Sequence, residues 1–375
     1  MSVNNRIYYP MQQVAFRAPG TTAFQIAKGV QSAQITTTFN LEQAFTFGQL
    51  AIYENIEGIP AIDMSISKVL DGYPLLYCLA TATDKNGSAL TGPELSKRAV
   101  AETMVQLGIW PETRQSVSGN PETYVEMSGM VVGSVNYNFN LNDNFTEEMT
   151  LVGNRKVWST NAPNCTAPWT IAGASGNVDF WTNDDAPYAA VGVARRQDMS
   201  FGTGVDQTRL PQDIYGVASD GSKSGVCHVN SIRISCDLNR EDLFELGTKA
   251  PYAKTVTFPV EVTCEIEVNT VSGDQVSALD YCGGATGCGS DPINLTDRTI
   301  RVATCEGTRL FLGNKNKLQS VTYGGGDAGG GNATVTYSYR TFNDLTILHS
   351  GDVSGVYGLN PLGNTWWNSR GSYLV

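Results

Sequence analysis

A nine-residue pattern occurs twice in this chain, and it limits the possible folds more than any other feature of the sequence. Residues 40–48 read NLEQAFTFG and residues 239–247 read NREDLFELG, so both follow the frame N-x-E-x-x-F-x-[FL]-G at an offset of 199 residues (239 minus 40). The same offset places Pro60 on Pro259. A period this long exceeds that of any solenoid, so the repeated unit is predicted to be a whole domain.

The residues that the two copies share predict a short helix in each. Asn is a strong N-cap, Gln43 or Asp242 stands at the N3 position, and Gly follows where a left-handed residue would end the helix. The residues that define the repeat, to which we assign a structural role, are Asn40, Glu42, Phe45, Gly48, Pro60, Asn239, Glu241, Phe244, Gly247 and Pro259.

Strands are predicted on both sides of the repeated motif. Residues 35–39 and 232–236 are rich in β-branched side chains, and residues 62–66 and 260–266 alternate between apolar and polar. A Val-x-Tyr strand recurs late in both copies, in either of two registers: Val135 corresponds to Val335 at an offset of 200 or to Val321 at an offset of 186. Each copy is therefore predicted to be mainly β with a short flanking helix.

Length and composition agree with two β domains. The chain has 375 residues and 39 glycines, and only 16 % of its residues are charged, which favours strands and turns. The two domains are expected to be similar β-sandwich or half-barrel units. The predicted divisions are an N-terminal arm (1–30), copy one (31–160), connecting loops or a small insertion (161–224), copy two (225–360) and an aromatic tail (361–375). In that tail, Trp366, Trp367 and Tyr373 are predicted to contact other subunits.

Charge and hydropathy exclude some classes of partner. No apolar run approaches the length of a membrane helix, and the first residues lack the layout of a signal peptide. The net charge of −11 argues against a surface that holds nucleic acid by neutralising phosphates. The same charge suits a conduit along which DNA must slide without being held, although acidity can also simply keep a protein in solution.

No catalytic or metal-binding pattern is present, so neither an enzymatic activity nor a cofactor is predicted. His228 and His349 are the only histidines, and the eight cysteines contain no C-x-x-C pair. The adjacent acids Glu147 and Glu148 are expected to point apart into solvent. The cysteines are expected to be free buried thiols, with a disulfide between Cys282 and Cys288 as the alternative.

The pattern of strands resembles a known family of phage proteins. The resemblance rests on residues 35–48, 52–54, 60–62, 134–139 and 145–151 of copy one and on residues 240–274 and 316–339 of copy two. These segments are similar to the major tail tube protein of long-tailed bacteriophages. The resemblance implies a virion protein, assembled in the host cytoplasm, whose rings stack into a hollow tube for DNA ejection. Its implied partners are its own copies and other tail proteins, with DNA passing through the lumen and no membrane.

Because the tube domain occurs twice in each chain, the number of chains expected in a ring changes. Three chains with pseudo-sixfold symmetry would fill the six positions of a single-domain ring, and six chains with one copy outside the bore are the alternative. A different phage surface component, such as a receptor-binding or decoration protein that stacks sugars on Trp169 and Trp181, is the competing interpretation. A carbohydrate-active enzyme is a third.

Overall fold

The protein is mainly β, as predicted. The computed structural model describes residues 7, 9–17, 24–48, 50, 52–71, 75–81, 95, 100–110, 121–160, 193–201, 208, 210–211, 216–217, 223–224, 227–270, 273–276, 297–304, 308–326 and 331–349. The elements of the first half are β1 (Gln12–Arg17), β2 (Phe24–Ile26), β3 (Val30–Thr38), β4 (Leu41–Phe45), β5 (Ile52–Glu57), β6 (Ala61–Val69), α1 (Leu76–Ala80), β7 (Thr103–Ile109), β8 (Thr123–Asn140), β9 (Thr146–Gly153) and β10 (Arg155–Ser159).

The second half is also composed of strands. They are β11 (Met199–Ser200), β12 (Gly216–Val217), β13 (Lys223–Ser224), β14 (Cys227–Asp237), β15 (Arg240–Leu243), β16 (Ala253–Val256), β17 (Glu261–Thr270), β18 (Arg301–Thr304), β19 (Thr308–Phe311), β20 (Lys317–Gly324), β21 (Thr334–Phe342) and β22 (Thr346–His349). Single 3-10 turns lie at Tyr9–Met11 and Arg196–Asp198. Among the described residues, no helix is long and apolar enough to cross a membrane.

Eight antiparallel strands form the main sheet, in the order β3-β6-β9-β8-β14-β17-β21-β20. The 18-residue strand β8 takes part in two sheets. Its second half lies in the main sheet, whereas its first half pairs with β7 and β10, and β7 continues to β1 and β2. Gly129, whose φ is +67°, lies between the two halves.

The main sheet consists of two four-stranded units with the same strand order. β3-β6-β9-β8 is followed by β14-β17-β21-β20. Irregularities in the pairing recur at equivalent points: a bulge between Val30 and Ser32 of β3 matches one between Val229 and Ser231 of β14, again at an offset of 199. The two units lie edge to edge in one sheet, because β8 pairs with β14.

A second pair of bulges decides between the two registers predicted for the late strand. The bulge after Val132 of β8 corresponds to the bulge after Leu318 of β20, at an offset of 186. Val135 therefore corresponds to Val321, and the register with an offset of 200 is wrong. The ambiguity arose because β8 and β21 both carry a Val-x-Tyr alternation on a buried face.

The predicted helix at the repeated motif is wrong in both copies. Residues 41–45 are β4, which forms a hairpin with β5, and residues 240–243 are β15, which forms a hairpin with β16. Gly48 and Gly247 do have positive φ, of 87° and 94°, but they sit in the hairpin turns. Nine residues are too few to sustain a helix in isolation, and the strand partner about ten residues further on offers hydrogen bonds along β4 and β15.

Residues 9–17 and 24–30 of the predicted N-terminal arm belong to the fold. β1 pairs along its whole length with β7, and the Val14 and Phe16 side chains are buried in the core. The other predicted domain divisions stay predictions, because most of residues 161–224 and all of residues 350–375 lie outside the described residues.

Candidate assembly surface

The two outer strands of the main sheet leave one side of their backbones unpaired. β3 pairs only with β6 and β20 pairs only with β21, within the residues that the structure describes. Both strands are long, with nine residues in β3 and eight in β20. A long free strand edge presents a row of N–H and C=O groups that can accept a further strand. These two edges are the first part of the candidate assembly surface.

The two faces of the main sheet differ sharply in polarity. On the core face, alternate residues of β6 and β17 are buried and apolar, as at Ile62, Met64 and Ile266. On the opposite face, which we call the polar face, the strands present mostly hydroxyl, amide and carboxylate groups. Its members include Ser32, Gln34, Thr36, Asp63, Ser65, Asn136, Asn138, Glu148, Thr150, Arg233, Ser235, Thr263, Glu265, Ser320, Thr322, Thr336 and Ser338.

Side chains on the polar face bind one another across strands. The Ser235 and Thr263 hydroxyls are hydrogen-bonded, Ser231 donates to Glu267 at 3.3 Å, and Arg340 forms an ion pair with Glu261 at 2.6 Å. Acids outnumber bases among the described strand residues of this face. The acids are Asp63, Glu148, Asp237, Glu261, Glu265 and Glu267, and the bases are Arg233, Arg340 and Lys317, which lies opposite Arg340. The face is therefore hydrated and weakly acidic.

Two hairpins carry exposed apolar side chains. The hairpin of β4 and β5 pairs only within itself among the described elements, and so does the hairpin of β15 and β16. At their tips Phe47 and Leu246 are fully exposed. Other largely exposed apolar side chains on the hairpins are Leu41, Phe45, Leu50, Ile52, Tyr53, Ile56, Phe244 and Tyr252. Apolar surface concentrated in this way marks a contact with another protein surface.

The hairpin of copy two is tied to copy one inside the chain. The Arg240 side chain donates from Nε to the Val132 carbonyl at 2.7 Å, and burial lowers its pKa to about 10. Lys254 and Asp242 form an ion pair across the same hairpin. The residue of copy one that corresponds to Arg240 is Leu41, which is exposed. At this pair of equivalent positions, the side chain of copy two contacts β8, whereas the side chain of copy one is exposed to solvent.

A buried carboxylate organises copy one on the core face. Glu147 accepts hydrogen bonds from the Leu76 and Tyr77 backbone N–H groups, at 2.7 and 3.1 Å, and from the Tyr137 hydroxyl at 2.7 Å. Burial raises the pKa of Glu147, while these donors and Lys68, opposite it on β6, act in the other direction. Glu147 thereby fastens the start of α1 to the sheet. In copy two, the positions that correspond to Lys68 and Glu147 are occupied by Val268 and Val335, which also lie opposite each other.

The outcome for the adjacent acids is mixed. Glu147 and Glu148 do point to opposite faces, as expected for a strand. The expectation of solvation is wrong for Glu147, which is fully buried because α1 and Tyr137 cover it. No signal within the sequence distinguishes it from Glu148, since burial depends on a helix more than 60 residues earlier in the chain.

The residues of the repeat take structural positions. The Asn40 side chain donates to the Ile59 carbonyl at 2.8 Å, and the carbonyls of Asn40 and Asn239 accept from the N–H groups of Gly58 and Thr257. Glu42 and Glu241 lie on the hairpin strands, Phe45 and Phe244 are exposed, and Pro60 and Pro259 stand just before the second long strand of each unit. The predicted contact residues Trp366, Trp367 and Tyr373 lie outside the described residues.

The described residues contain no arrangement for metal binding. Nowhere among them do three His, Cys, Asp or Glu side chains come close enough to hold an ion. Cys78, Cys236 and Cys264 are buried, as expected, Cys236 and Cys264 are free thiols, and burial raises the pKa of Cys236 to about 12. Cys282 and Cys288 lie outside the described residues, as does the side chain of His349, whereas His228 is exposed on β14.

Comparison with known proteins finds similarity among solved structures alone. No family model matches the chain, and no curated protein matches it by sequence. Three similar solved structures are the anti-feeding prophage cap (the AFP tube terminating cap), the anti-feeding prophage baseplate and the PVC sheath/tube terminator of an extracellular contractile injection system. Their identities to this chain are 12 %, 8 % and 10 %, each with a TM-score of 0.31. The alignments cover 43 %, 42 % and 42 % of this chain and 95 %, 97 % and 99 % of theirs. At this TM-score the similarity assigns no function.

Proposed function

We propose that this protein is a structural subunit of a phage or phage-like tail tube, without enzymatic activity, whose copies close into rings that stack around a hollow bore. The observation that carries the proposal is the main sheet itself. Two equivalent four-stranded units already join edge to edge within one chain, and among the described strands two long edges remain open at the ends of the sheet. A sheet built this way can be extended by further copies until it closes into a barrel, which removes every free edge.

The polar face is suited to lining a bore through which DNA passes. Hydroxyl, amide and carboxylate groups stay hydrated, so they offer a translocating strand no apolar surface to which it could adhere. Few Lys or Arg side chains are present on this face among the described strands, with Arg340 already paired to Glu261. A phosphate backbone would therefore gain little from counterion release and would not be retained.

Three chains per ring fit the two-unit sheet. Because each chain supplies two equivalent units, a trimer has six of them around the bore, with β8·β14 contacts inside chains alternating with contacts between chains. The exposed hairpins project apolar side chains such as Phe47 and Leu246, which makes them suitable for contact with the next ring or with other tail proteins. The protein would be made in the host cytoplasm and reside in the tail of the particle.

Electron microscopy of the purified full-length chain tests the proposal. Rings or stacked tubes with a central bore are the expected particles, and averaged end views should show pseudo-sixfold symmetry with three chains. Six chains per ring would reject the trimer and leave the tube assignment standing. A protein that stays monomeric at high concentration, without bores in any view, would instead favour another tail surface component.

A further inference from the structure

We propose that β20 of one chain pairs with β3 of the neighbouring chain in the ring. The two strands are antiparallel and have the same register as the β8·β14 contact within a chain. This inference rests on the proposed ring function and specifies the surface that closes the ring. Both strands are described along their full length, and each is unpaired on its outer side among the described residues. The partner is a second copy of this chain.

The contact inside the chain provides the template. In the β8·β14 contact, Tyr137 lies opposite Ile234 and Asn136 lies opposite Ser235. The same contact places Val135 opposite Cys236 and Ser134 opposite Asp237. β20 is the counterpart of β8, since both precede the strand with which they pair and both carry a bulge at the same point. β3 is the counterpart of β14 by the same criteria.

When this register is applied to the free edges, four residues of β20 lie opposite four residues of β3 in the neighbouring chain. Residues of β8 map onto β20 with an offset of 186, and residues of β14 map onto β3 with an offset of 199. The resulting pairs are Tyr323 with Ile35, Thr322 with Thr36, Val321 with Thr37 and Ser320 with Thr38. The Tyr–Ile pair of the internal contact is reproduced in residue type, and the polar face continues unbroken through Thr322 and Thr36.

Burial shows what the free edges lack. Tyr137 and Ile234 are fully buried in the internal contact, whereas their counterparts Tyr323 and Ile35 are partly exposed, Tyr323 by 52 %. The difference is larger just beyond the strands. Leu238 is 2 % exposed, and its counterpart Phe39 is 71 % exposed. Pairing with a second chain would cover Tyr323, Ile35 and Phe39, just as the β8·β14 contact covers their counterparts within the chain.

Within the described part of the chain, the two edges also lack the features that prevent strand addition. Free edges are commonly protected by proline, by charged side chains or by a covering segment. β3 contains no charged residue and no proline, and in β20 the one charged residue is Lys317 at its first position. The two edges differ from each other, so the contact is head to tail and generates a closed ring when the rotation is right.

Disulfide trapping in assembled rings tests the register. Two double variants place cysteines opposite each other, Thr36→Cys with Thr322→Cys and Thr37→Cys with Val321→Cys. Adjacent pairs alternate between hydrogen-bonded and non-hydrogen-bonded sites, so one of the two variants has the closer Cβ spacing that a disulfide needs. The matched control, Ser32→Cys with Ser320→Cys, separates the thiols by about six residues or roughly 20 Å in the proposed register. The four single variants at positions 36, 37, 321 and 322 measure background linkage to the native cysteines.

The expected result is a ladder of covalently linked chains, formed by mild oxidation in at least one in-register variant and at least tenfold weaker in the control. Mass spectrometry should assign the link to the designed pair in different chains. Rings that form normally but link equally in the control, link within one chain, or link in no in-register variant would overturn the register and leave the tube function intact. Wild-type protein that forms no rings would reject the proposed function itself.

Discussion

Phe39 is the side chain whose environment should change most when a ring closes. It follows β3, is 71 % exposed, and corresponds to Leu238, which is 2 % exposed beside β8. Replacement by serine removes an aromatic ring that makes no large contribution to the isolated chain. We therefore expect Phe39→Ser to leave the free energy of unfolding of the monomer within about 0.5 kcal/mol of wild type, as is usual at exposed positions.

The effect on assembly follows from the area to be covered. A phenylalanine buries on the order of 200 Å², so a change from 71 % to 2 % exposure would remove roughly 140 Å² from water. At about 25 cal/mol per Å² this corresponds to ~3 kcal/mol for each contact between chains. Since 1.4 kcal/mol is a factor of ten, each contact should weaken on the order of 100-fold.

Sedimentation velocity over a range of protein concentrations measures the effect. The matched control is Phe47→Ser, because Phe47 is fully exposed on the adjacent hairpin and its counterpart Leu246 is also fully exposed. Phe47→Ser should close rings at the wild-type concentration even if stacking of rings weakens. A Phe39→Ser variant that closes rings as readily as wild type, or equal impairment of closure in both variants, would contradict the role given to Phe39.

Three further predictions concern the folded chain. Because burial raises the pKa of Glu147, the contribution of this group to the free energy of unfolding is largest at acidic pH. That contribution is lost as pH rises through the raised pKa, by at most about 1.4 kcal/mol per pH unit. Urea unfolding of Glu147→Gln should lack this slope, and equal slopes in wild type and variant would contradict the prediction. Gly29→Ala should lower the free energy of unfolding by about 1–3 kcal/mol, because φ is +76° and a Cβ would lie 2.4 Å from an Asp71 oxygen. Gly48→Ala, where a Cβ would meet open space, should lower it less in the same thermal melts. Cys236, whose pKa burial raises to about 12, should resist alkylation until the protein unfolds, and rapid labelling of the native protein at neutral pH would contradict this.

The strands were predictable where one face of the sheet is buried. Residues 62–66 and 260–266 alternate with a period of two, and they lie in β6 and β17. Residues 35–39 and 232–236 largely coincide with the ends of β3 and β14. Alternation is a local signal, because each side chain records its own exposure. The offset of 199 residues between the two motifs recurs in the structure, where the bulges of β3 and β14 lie 199 residues apart.

The assembly surface was not predictable in the same way. The repeated motif predicts a helix because its Asn and Gly residues have the same local preferences at helix ends and in hairpin turns. Its true state depends on β5 and β16, which supply hydrogen bonds from about ten residues further along. The segment Gln12–Arg17 carries no local sign of its strand partner, because β7 lies about 90 residues away in the chain.

The sequence by itself determined that the chain is mainly β, that a unit occurs twice, and that no catalytic or metal-binding pattern is present. Those properties depend on composition and on short periodicities, which can be read residue by residue. Only the tertiary structure decided that the two units share one sheet, that β3 and β20 are its outer strands among the described residues, and that Glu147 is buried while Glu148 is not. These depend on which strands pair, and pairing is set by hydrogen bonds and burial between residues distant in the chain.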